Sequence, residues 1–179
     1  MELVRKFEMP EHIQRHSLLV AEVALFLAAQ LNRNSSSLDP QLIEAAALLH
    51  DVGKMPSLKT GENHALLGAQ MLEGIVAPAV IRIVEEHIYL DSSQIAGPIS
   101  ESLIVNYSDK RVKHDQVVSI QERYRDLVER YAKDARQVQF LNQKLDLYFK
   151  LERTIFSHLA IAAQGAEIMG ITIECIKGA

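Results

Sequence analysis

The chain has 179 residues, of which 48% are hydrophobic and 23% are charged, and its formal net charge is -4 at pH 7. This length suits one domain with an extension, and the charge provides no overall positive field to attract nucleic acid or anionic lipid. The single cysteine, Cys175, excludes an intrachain disulfide and a thiolate-rich zinc site. Because no stretch has the length of an apolar membrane span and the N-terminus lacks a signal-peptide pattern, we expect a cytoplasmic protein.

Nearly every segment has the apolar spacing of an α-helix, so the pattern predicts an all-α fold, an orthogonal helical array. In chain order, the first five helices are predicted over residues 11–32, 40–50, 62–75, 78–89 and 99–110. The second of these has Asp39 as a capping residue and Pro40 at its first position. Residues 55–61 and 91–98 contain turn-forming residues, and both are predicted to be loops.

The last third of the chain is more charged than the rest. Residues 111–115 are predicted to be a linker, residues 117–131 an amphipathic helix, and a long helix begins at about Asp134. Its apolar residues keep a three-then-four spacing up to Ala162, broken at Glu152, which is the spacing of a coiled-coil seam. We therefore expect a domain over residues 1–131 and a helical extension over 132–179, which packs on that domain or forms the interface of a homodimer. Residues 171–176 are predicted to be a short strand or a packed tail.

Six possible metal ligands fall near predicted helix ends or on apolar helix faces. They are His16, His50, Asp51, His64, His87 and Asp109. Imidazole and carboxylate donors suit divalent Fe, Mn, Co, Ni or Zn rather than calcium or copper(I). Neighbouring residues on a helix point about 100° apart, so His50 and Asp51 can converge only because their helix ends there. The other three histidines, His12, His114 and His158, are interpreted as ordinary core or surface residues.

Over roughly residues 10–130, the chain resembles the HD-domain metal-dependent phosphohydrolases. The family pattern is a histidine, a His-Asp pair and a distant aspartate, matched here by His16, His50-Asp51 and Asp109. The segments around these positions, residues 16–21, 48–54 and 106–110, resemble the family motifs as well. No Gly-Tyr-Pro follows the His-Asp pair, which disfavours the cyclic-di-GMP phosphodiesterase branch.

The resemblance implies one or two divalent transition metals (Fe, Mn, Co, Ni or Zn). In HD subfamilies with two metals, the aspartate of the His-Asp pair bridges them. Carried over, this assigns one ion to His16, His50, Asp51 and Asp109, and the other to Asp51, His64 and His87. With one metal, His64 and His87 would instead contact phosphate or serve as general acid. Residues 64–69 also resemble the corresponding stretch of bacterial HD-type diadenosine tetraphosphate hydrolases.

The function implied by the resemblance is hydrolysis of a phosphate ester or anhydride by metal-activated water, with a nucleotide or related small phosphorylated metabolite as substrate. Asp51 and Lys54 are the catalytic candidates: Asp51 as the shared ligand, and Lys54 as a contact to a phosphate oxygen or the leaving group. Lys110 and Arg111 are further candidates for phosphate contacts, although neighbouring acidic residues offer them ordinary salt bridges. Two alternatives stay open: a di-iron HD oxygenase with the same ligands, and a non-catalytic HD module that binds a nucleotide or a protein.

Overall fold

The fold consists of helices and one short hairpin in the residues that the computed structural model describes, 2–34 and 36–173. In chain order the elements are α1 (Glu2–Lys6), α2 (Glu11–Arg33), α3 (Pro40–Leu49), α4 (Lys54–Thr60), α5 (His64–Leu72), α6 (Pro78–Glu86), α7 (Ser92–Ala96), α8 (Glu101–Arg111), β1 (Val112–Lys113), β2 (Gln116–Val117), α9 (Ile120–Tyr131), α10 (Ala135–Phe156) and α11 (Ala166–Met169). The predicted all-α fold class is confirmed.

Helices α2 and α3 pack against each other in the middle of the fold, and both lie where the sequence predicts them. The α3 cap is also as predicted, since a carboxylate oxygen of Asp39 accepts hydrogen bonds from the backbone N–H groups of Gln41 and Leu42 at 2.9 and 3.2 Å. The apolar face of α2 lies in the main hydrophobic cluster, through Leu19, Val20, Val23, Ala24 and Leu27. α3 ends at Leu49, which leaves His50 at the helix terminus.

Two segments predicted to be loops are short helices, so those predictions are wrong. In α4, Pro56 occupies the first turn, where its missing N–H costs no helical hydrogen bond, and Gly61 ends the helix with a left-handed φ of 75°. In α7, Asp91 and Gln94 form a capping box. The turn-forming residues of both segments therefore mark helix ends.

The charged segment predicted to be a linker is instead part of an antiparallel hairpin. Val112 pairs with Val117 and Lys113 with Gln116, so residues 114 and 115 form the turn. His114 has a φ of +57°, a left-handed conformation that is uncommon for a residue with a side chain. The turn lies against α2, where Arg15 and Asp115 form an ion pair at 2.8 Å.

The long helix α10 begins where the sequence predicts, but it ends at Phe156, before Ala162. Its C-terminal half lies in the same hydrophobic cluster as α2 and α3, through Tyr148, Leu151 and Ile155. Glu152, which interrupts the apolar spacing, accepts a hydrogen bond of 2.7 Å from the hydroxyl of Tyr107 on α8. This half of α10 therefore packs on the chain's own core, whereas a domain division at residue 131 and a homodimer stay predictions.

Within the described ranges, no helix combines the length and apolar character needed to cross a membrane. At the C-terminal end, residues 171–173 form no strand. The remainder of the predicted tail, including Cys175, lies outside the described residues.

Candidate metal centre

The fold brings the six predicted ligands into one cluster, and helix ends position five of them. His50 and His87 directly follow α3 and α6, Asp51 lies in the next turn, His64 is the first residue of α5, Asp109 lies in the last turn of α8, and His16 lies in the second turn of α2. Five of these side chains are buried and that of His64 is half-buried. Helix ends suit this purpose because the chain changes direction there, so adjacent residues can face the same point.

A first group of donor atoms surrounds the ring of His50. Its Nε2 lies 3.6 Å from Oδ2 of Asp51 and 3.7 Å from Oδ1 of Asp109. Nε2 of His16 lies 3.0 Å from the same Asp109 oxygen. One donor atom each from His16, His50 and Asp51 lies within 4.8 Å of the others. This spacing suits donors that share one divalent ion.

A second group of donors lies on the other side of Asp51. Oδ1 of Asp51 is 3.5 Å from Nε2 of His64 and 4.0 Å from Nε2 of His87. The two imidazole Nε2 atoms are 3.2 Å apart. Asp51 therefore belongs to both groups, with one carboxylate oxygen facing each.

Backbone carbonyl groups orient three of the imidazole rings. Nδ1 of His50 lies 2.7 Å from the carbonyl of Ala47, and Nδ1 of His87 lies 2.6 Å from that of Val84. Nδ1 of His16 lies 3.3 Å from the carbonyl of the turn residue His114. A carbonyl can only accept, so each Nδ1 carries a proton and each ring turns its Nε2 inward, the atom that bears the lone pair in a neutral imidazole of this tautomer.

These inward lone pairs form a donor set that fits a cation. Nε2 of His50 is buried and has no hydrogen-bond partner among the described residues. Nε2 of His16 faces a carboxylate oxygen, and Nε2 of His64 faces that of His87. Acceptors that face one another need a proton or a metal between them, and histidines that ligate a metal usually donate their other ring N–H to a carbonyl, a carboxylate or water.

The electrostatics of the cluster keep its carboxylates ionised. Burial alone would raise the pKa of Asp51, but His50 and Lys54 hold that pKa well below its usual range. Burial likewise opposes ionisation of Asp109, and Lys110 and His16 outweigh it, so its pKa is also lowered. Metal ligation requires ionised carboxylates, so these shifts favour it.

The net pKa shifts of the buried histidines differ in direction, because their charged neighbours differ. It lowers the pKa of His64, and it lowers the pKa of His87 to about 3. Burial also disfavours the charged form of His50, but Asp51 and Asp109 lie close enough to raise its pKa overall. His64 and His87 are therefore neutral near pH 7, as metal ligation by imidazole requires.

A comparison with protein families decides what kind of domain this is. The family described as HD domain matches residues 13–138, a range that contains all six candidate ligands and more than half of the chain. The chain belongs to the HD domain family. HD domains bind divalent metals, and the two His/Asp groups of this chain are able to hold one.

Several curated proteins are similar to parts of this chain. Ribonuclease Y of Acidothermus cellulolyticus is 38% identical over 61 residues, which are 34% of this chain and 11% of that protein. The tRNA (cytidine(56)-2'-O)-methyltransferase of Thermoplasma volcanium is 32% identical over 158 residues, covering 74% of this chain and 44% of that protein. An uncharacterized protein of Methanocaldococcus jannaschii is 26% identical over 110 residues, covering 58% of this chain and 64% of that protein. The chain thus spans less than two thirds of the length of each. No solved structure gave a significant match.

The cluster of six candidate ligands is called the HD site. Two lysines predicted to contact phosphate lie beside its carboxylates. Nζ of Lys54 donates a hydrogen bond of 2.7 Å to Oδ2 of Asp51, and the side chain is 43% exposed. Nζ of Lys110 contacts Oδ2 of Asp109. The structure therefore places both ammonium groups at the site, and that of Lys54 also reaches solvent.

Arg111 does not join the HD site, so its predicted role as a phosphate contact is corrected. Its side chain is fully buried and donates to the carbonyls of Val118 and Ala163 at 2.7 and 2.8 Å and to the hydroxyl of Tyr107 at 2.6 Å. Side chains two positions apart on a helix point in directions about 200° apart. The helix that turns Asp109 toward the site therefore turns Arg111 away from it. Arg111 is a structural residue between α8 and the C-terminal part of the chain.

The mouth of the HD site includes residues that no sequence motif indicates. Beside His16 lies a cavity of about 210 Å³, lined by His12, Ile13, Arg15, His16, Lys54, His114 and Asp115. The sequence predicts His12 and His114 to be ordinary core or surface residues, whereas both line this cavity. His12 and His16 are four residues apart on one helix, a spacing that places them on one face and could have indicated the cavity. No comparable spacing in the sequence indicates that the hairpin turn, with His114 and Asp115, also lines this cavity.

Proposed function

We propose that this HD domain is a metal-dependent hydrolase of phosphate esters or anhydrides, acting on a nucleotide or a related small phosphorylated metabolite. The proposal rests on the surroundings of Asp51. Its two carboxylate oxygens face two groups of histidines, and the ammonium of Lys54 donates a hydrogen bond to one of these oxygens, Oδ2. Two donor groups that share a carboxylate, next to a partly exposed cation, suit the binding of a phosphate group.

The six donors would hold the metal in the following way. His16, His50, Asp51 and Asp109 would ligate one divalent ion, and Asp51, His64 and His87 a second. A divalent ion held there would lower the pKa of water toward neutrality and neutralise phosphate oxygens. The carbonyl contacts of His16, His50 and His87 keep the ligating nitrogens in place, so the ligands need little reorganisation.

The lysines supply positive charge for the substrate. With a metal on Asp51, the ammonium of Lys54 can exchange its carboxylate partner for a phosphate oxygen, because its side chain is flexible and 43% exposed. Lys110 is more deeply placed and lies against Asp109. We therefore assign the substrate contact to Lys54 and charge compensation at Asp109 to Lys110.

A phosphodiester of RNA is a second candidate substrate for the same chemistry. Curated relatives of the chain include two proteins named ribonuclease Y and one named as a tRNA methyltransferase. Their names refer to RNA, although the chain spans only 11%, 16% and 44% of their lengths. The net charge of -4 gives no general affinity for RNA, so a short RNA end would suit the site better than a long duplex.

A substrate panel with a matched variant tests the proposal. Phosphomonoesters, cyclic nucleotides, nucleoside triphosphates, dinucleoside polyphosphates and short RNA are each assayed with Mn, Fe, Co, Ni and Mg. We expect hydrolysis of at least one class, and a loss of at least about 100-fold in Asp51→Asn, because a ligand shared by both groups is weakened. Asp146→Asn, an exposed carboxylate on α10, serves as the control and retains activity.

Two results would contradict the proposed hydrolase activity. One is metal-loaded protein that hydrolyses none of these compounds. The other is Asp51→Asn with unchanged activity. Oxygen consumption by a ferrous form without phosphate release would point to the oxygenase instead.

A further inference from the structure

The cavity beside the HD site continues away from the proposed metal ligands along one face of α2. His16 and Lys54 line it at the end nearest the centre, and His12, Arg15 and the hairpin turn line the rest. Residues three and four apart lie on the same helix face, so His12 lies one turn from both Arg15 and His16. A substrate whose reacting phosphate is near Lys54 would thus extend toward His12 and Arg15.

The charge in this cavity favours an anion. Arg15 and Lys54 bring two permanent positive charges, and Asp115 is the acidic residue among the lining side chains. The ring of His114 is held by Arg130, whose Nη2 lies 2.7 Å from Nε2 of His114. Arginine only donates, so that nitrogen accepts the hydrogen bond.

Arg15 can take a ligand without leaving its position. One of its terminal nitrogens, Nη2, donates to Oδ2 of Asp115 at 2.8 Å. The side chain is 52% exposed, and exposed ion pairs of this kind hold their partners weakly. A guanidinium has five N–H donors in a planar fork that matches two oxygens of a phosphate.

We propose that Arg15, with His12 beside it, forms a subsite for a second phosphate group of the substrate, next to the phosphate that is hydrolysed. This inference rests on the proposed function. The substrate class it names carries two phosphate groups close together, either in a nucleoside polyphosphate or in successive positions of a short oligonucleotide. A lone phosphomonoester would fill only the half of the site nearest Lys54.

Binding of two non-hydrolysable anions tests the subsite directly. Methylphosphonate and methylenediphosphonate are titrated by calorimetry into Mn-loaded wild-type protein, Arg15→Gln and Asp115→Asn. We expect the diphosphonate to bind wild type about tenfold more tightly than the monophosphonate, and Arg15→Gln to remove that preference while leaving monophosphonate affinity unchanged. Arg136→Gln, an exposed arginine on α10 that does not line the cavity, is the matched control and keeps the preference.

The Asp115→Asn variant separates anion binding from a purely structural ion pair. Removing the carboxylate frees the Arg15 guanidinium, so we expect the diphosphonate to bind more tightly, whereas a structural pair predicts weaker binding in both variants. Asparagine is also compatible with a turn, so the hairpin is retained. Equal affinities for the two anions in wild type, or an unchanged preference in Arg15→Gln, would overturn the subsite.

Activity assays then distinguish the two sources of the second phosphate. A nucleoside triphosphate and a 5'-phosphorylated dinucleotide are compared in wild type and Arg15→Gln, and a selective loss with either one supports the subsite and identifies its ligand. If hydrolysis depends on Asp51 but no substrate responds to Arg15, the subsite is wrong and the hydrolase stands. If Asp51→Asn retains full hydrolysis, the hydrolase itself is wrong.

Discussion

At the scale of single residues, backbone carbonyls determine how the histidines present their donor nitrogens. The carbonyls of Ala47, Val84 and His114 each hold an Nδ1 atom, which directs Nε2 to the interior. For His50 and His87 the carbonyl lies three residues earlier on the same helix, so a helix end supplies both the ligand and its orienting group. For His16 the carbonyl comes from a turn 98 residues away in sequence.

The left-handed conformation of His114 gives a prediction at this scale. His114→Val should weaken metal binding about tenfold, because a β-branched residue resists a φ of +57° and the turn would move its carbonyl from His16. His114→Gly keeps the backbone conformation and should bind metal as wild type does. Titration of Mn or Co into both variants measures the difference, and equal affinities in the two would show that the carbonyl has no orienting role.

The sequence was informative about side chains that carry chemistry and uninformative about backbone groups. The His-Asp pair and the residues around it have a recognisable order, so the six candidate ligands could be named before the fold was known. The carbonyl of His114 has no such signature, because every residue has a carbonyl. Arg111 was misassigned because a cation near Asp109 gives the same pattern whether it faces the site or the core, although helix periodicity could have separated the two.

At the scale of elements, the contact between the turn after α3 and helix α5 positions the shared ligand. A Cβ at Gly53 would lie 2.3 Å from the carbonyl oxygen of His64 and 2.5 Å from the backbone N of Gly68. Both atoms belong to the backbone and cannot move aside independently. The absence of a side chain at Gly53 therefore lets α5 approach closely enough for His64 to face Asp51.

Replacing this glycine gives a prediction for the element. Gly53→Ala should lower the free energy of unfolding by about 3 kcal/mol and reduce metal content, because α5 must separate from the turn. Gly61→Ala is the control. Its φ of 75° is strained for alanine, which costs about 1 kcal/mol of stability. The added Cβ would have no described atom within 4 Å, so the metal content should not change. Chemical denaturation and metal analysis of both variants measure the effects. Gly53→Ala with wild-type stability and metal content would show that the close approach is unimportant.

The elements predicted correctly were those with long apolar periodicity, such as α2 and the start of α10. The errors fall where short elements depend on caps and pairing. The segment from Lys54 to Thr60 has one glycine on each side and a proline inside, a composition typical of a loop. It is compatible with a helix only because the proline lies in the first helical turn. The hairpin at residues 112–117 has two-residue strands, too short for alternation to appear.

At the scale of the whole molecule, the C-terminal helix is tied to the helix that carries Asp109. Glu152 of α10 accepts a hydrogen bond from Tyr107, and its carboxylate lies 3.6 Å from Nη1 of Arg111. All three side chains are buried. The buried pair accounts for the polar residue that interrupts the apolar spacing of α10, and it couples that helix to the position of α8.

This buried pair gives a prediction for stability. Arg111→Ala should lower the free energy of unfolding by about 3–5 kcal/mol, because Glu152 would be left buried without its positive partner. Thermal or urea denaturation measures this, and phosphonate affinity of the folded variant should equal that of wild type. A variant with normal stability and weakened phosphonate binding would instead restore Arg111 to the substrate site.

Two groups of donors that share Asp51 predict two metal ions for each chain, and metal stoichiometry is the measurement that decides between one site, two sites and none. Wild-type protein reconstituted with Mn, Fe or Co should hold one ion for each of the two groups. The double variant His64→Ala/His87→Ala should lose the ion of the second group, and Asp51→Ala should lose both at the concentrations that saturate wild type. Elemental analysis after desalting provides the measurement. Wild-type protein without bound transition metal, or Asp51→Ala with the same metal content as wild type, would be incompatible with a metal centre built on Asp51.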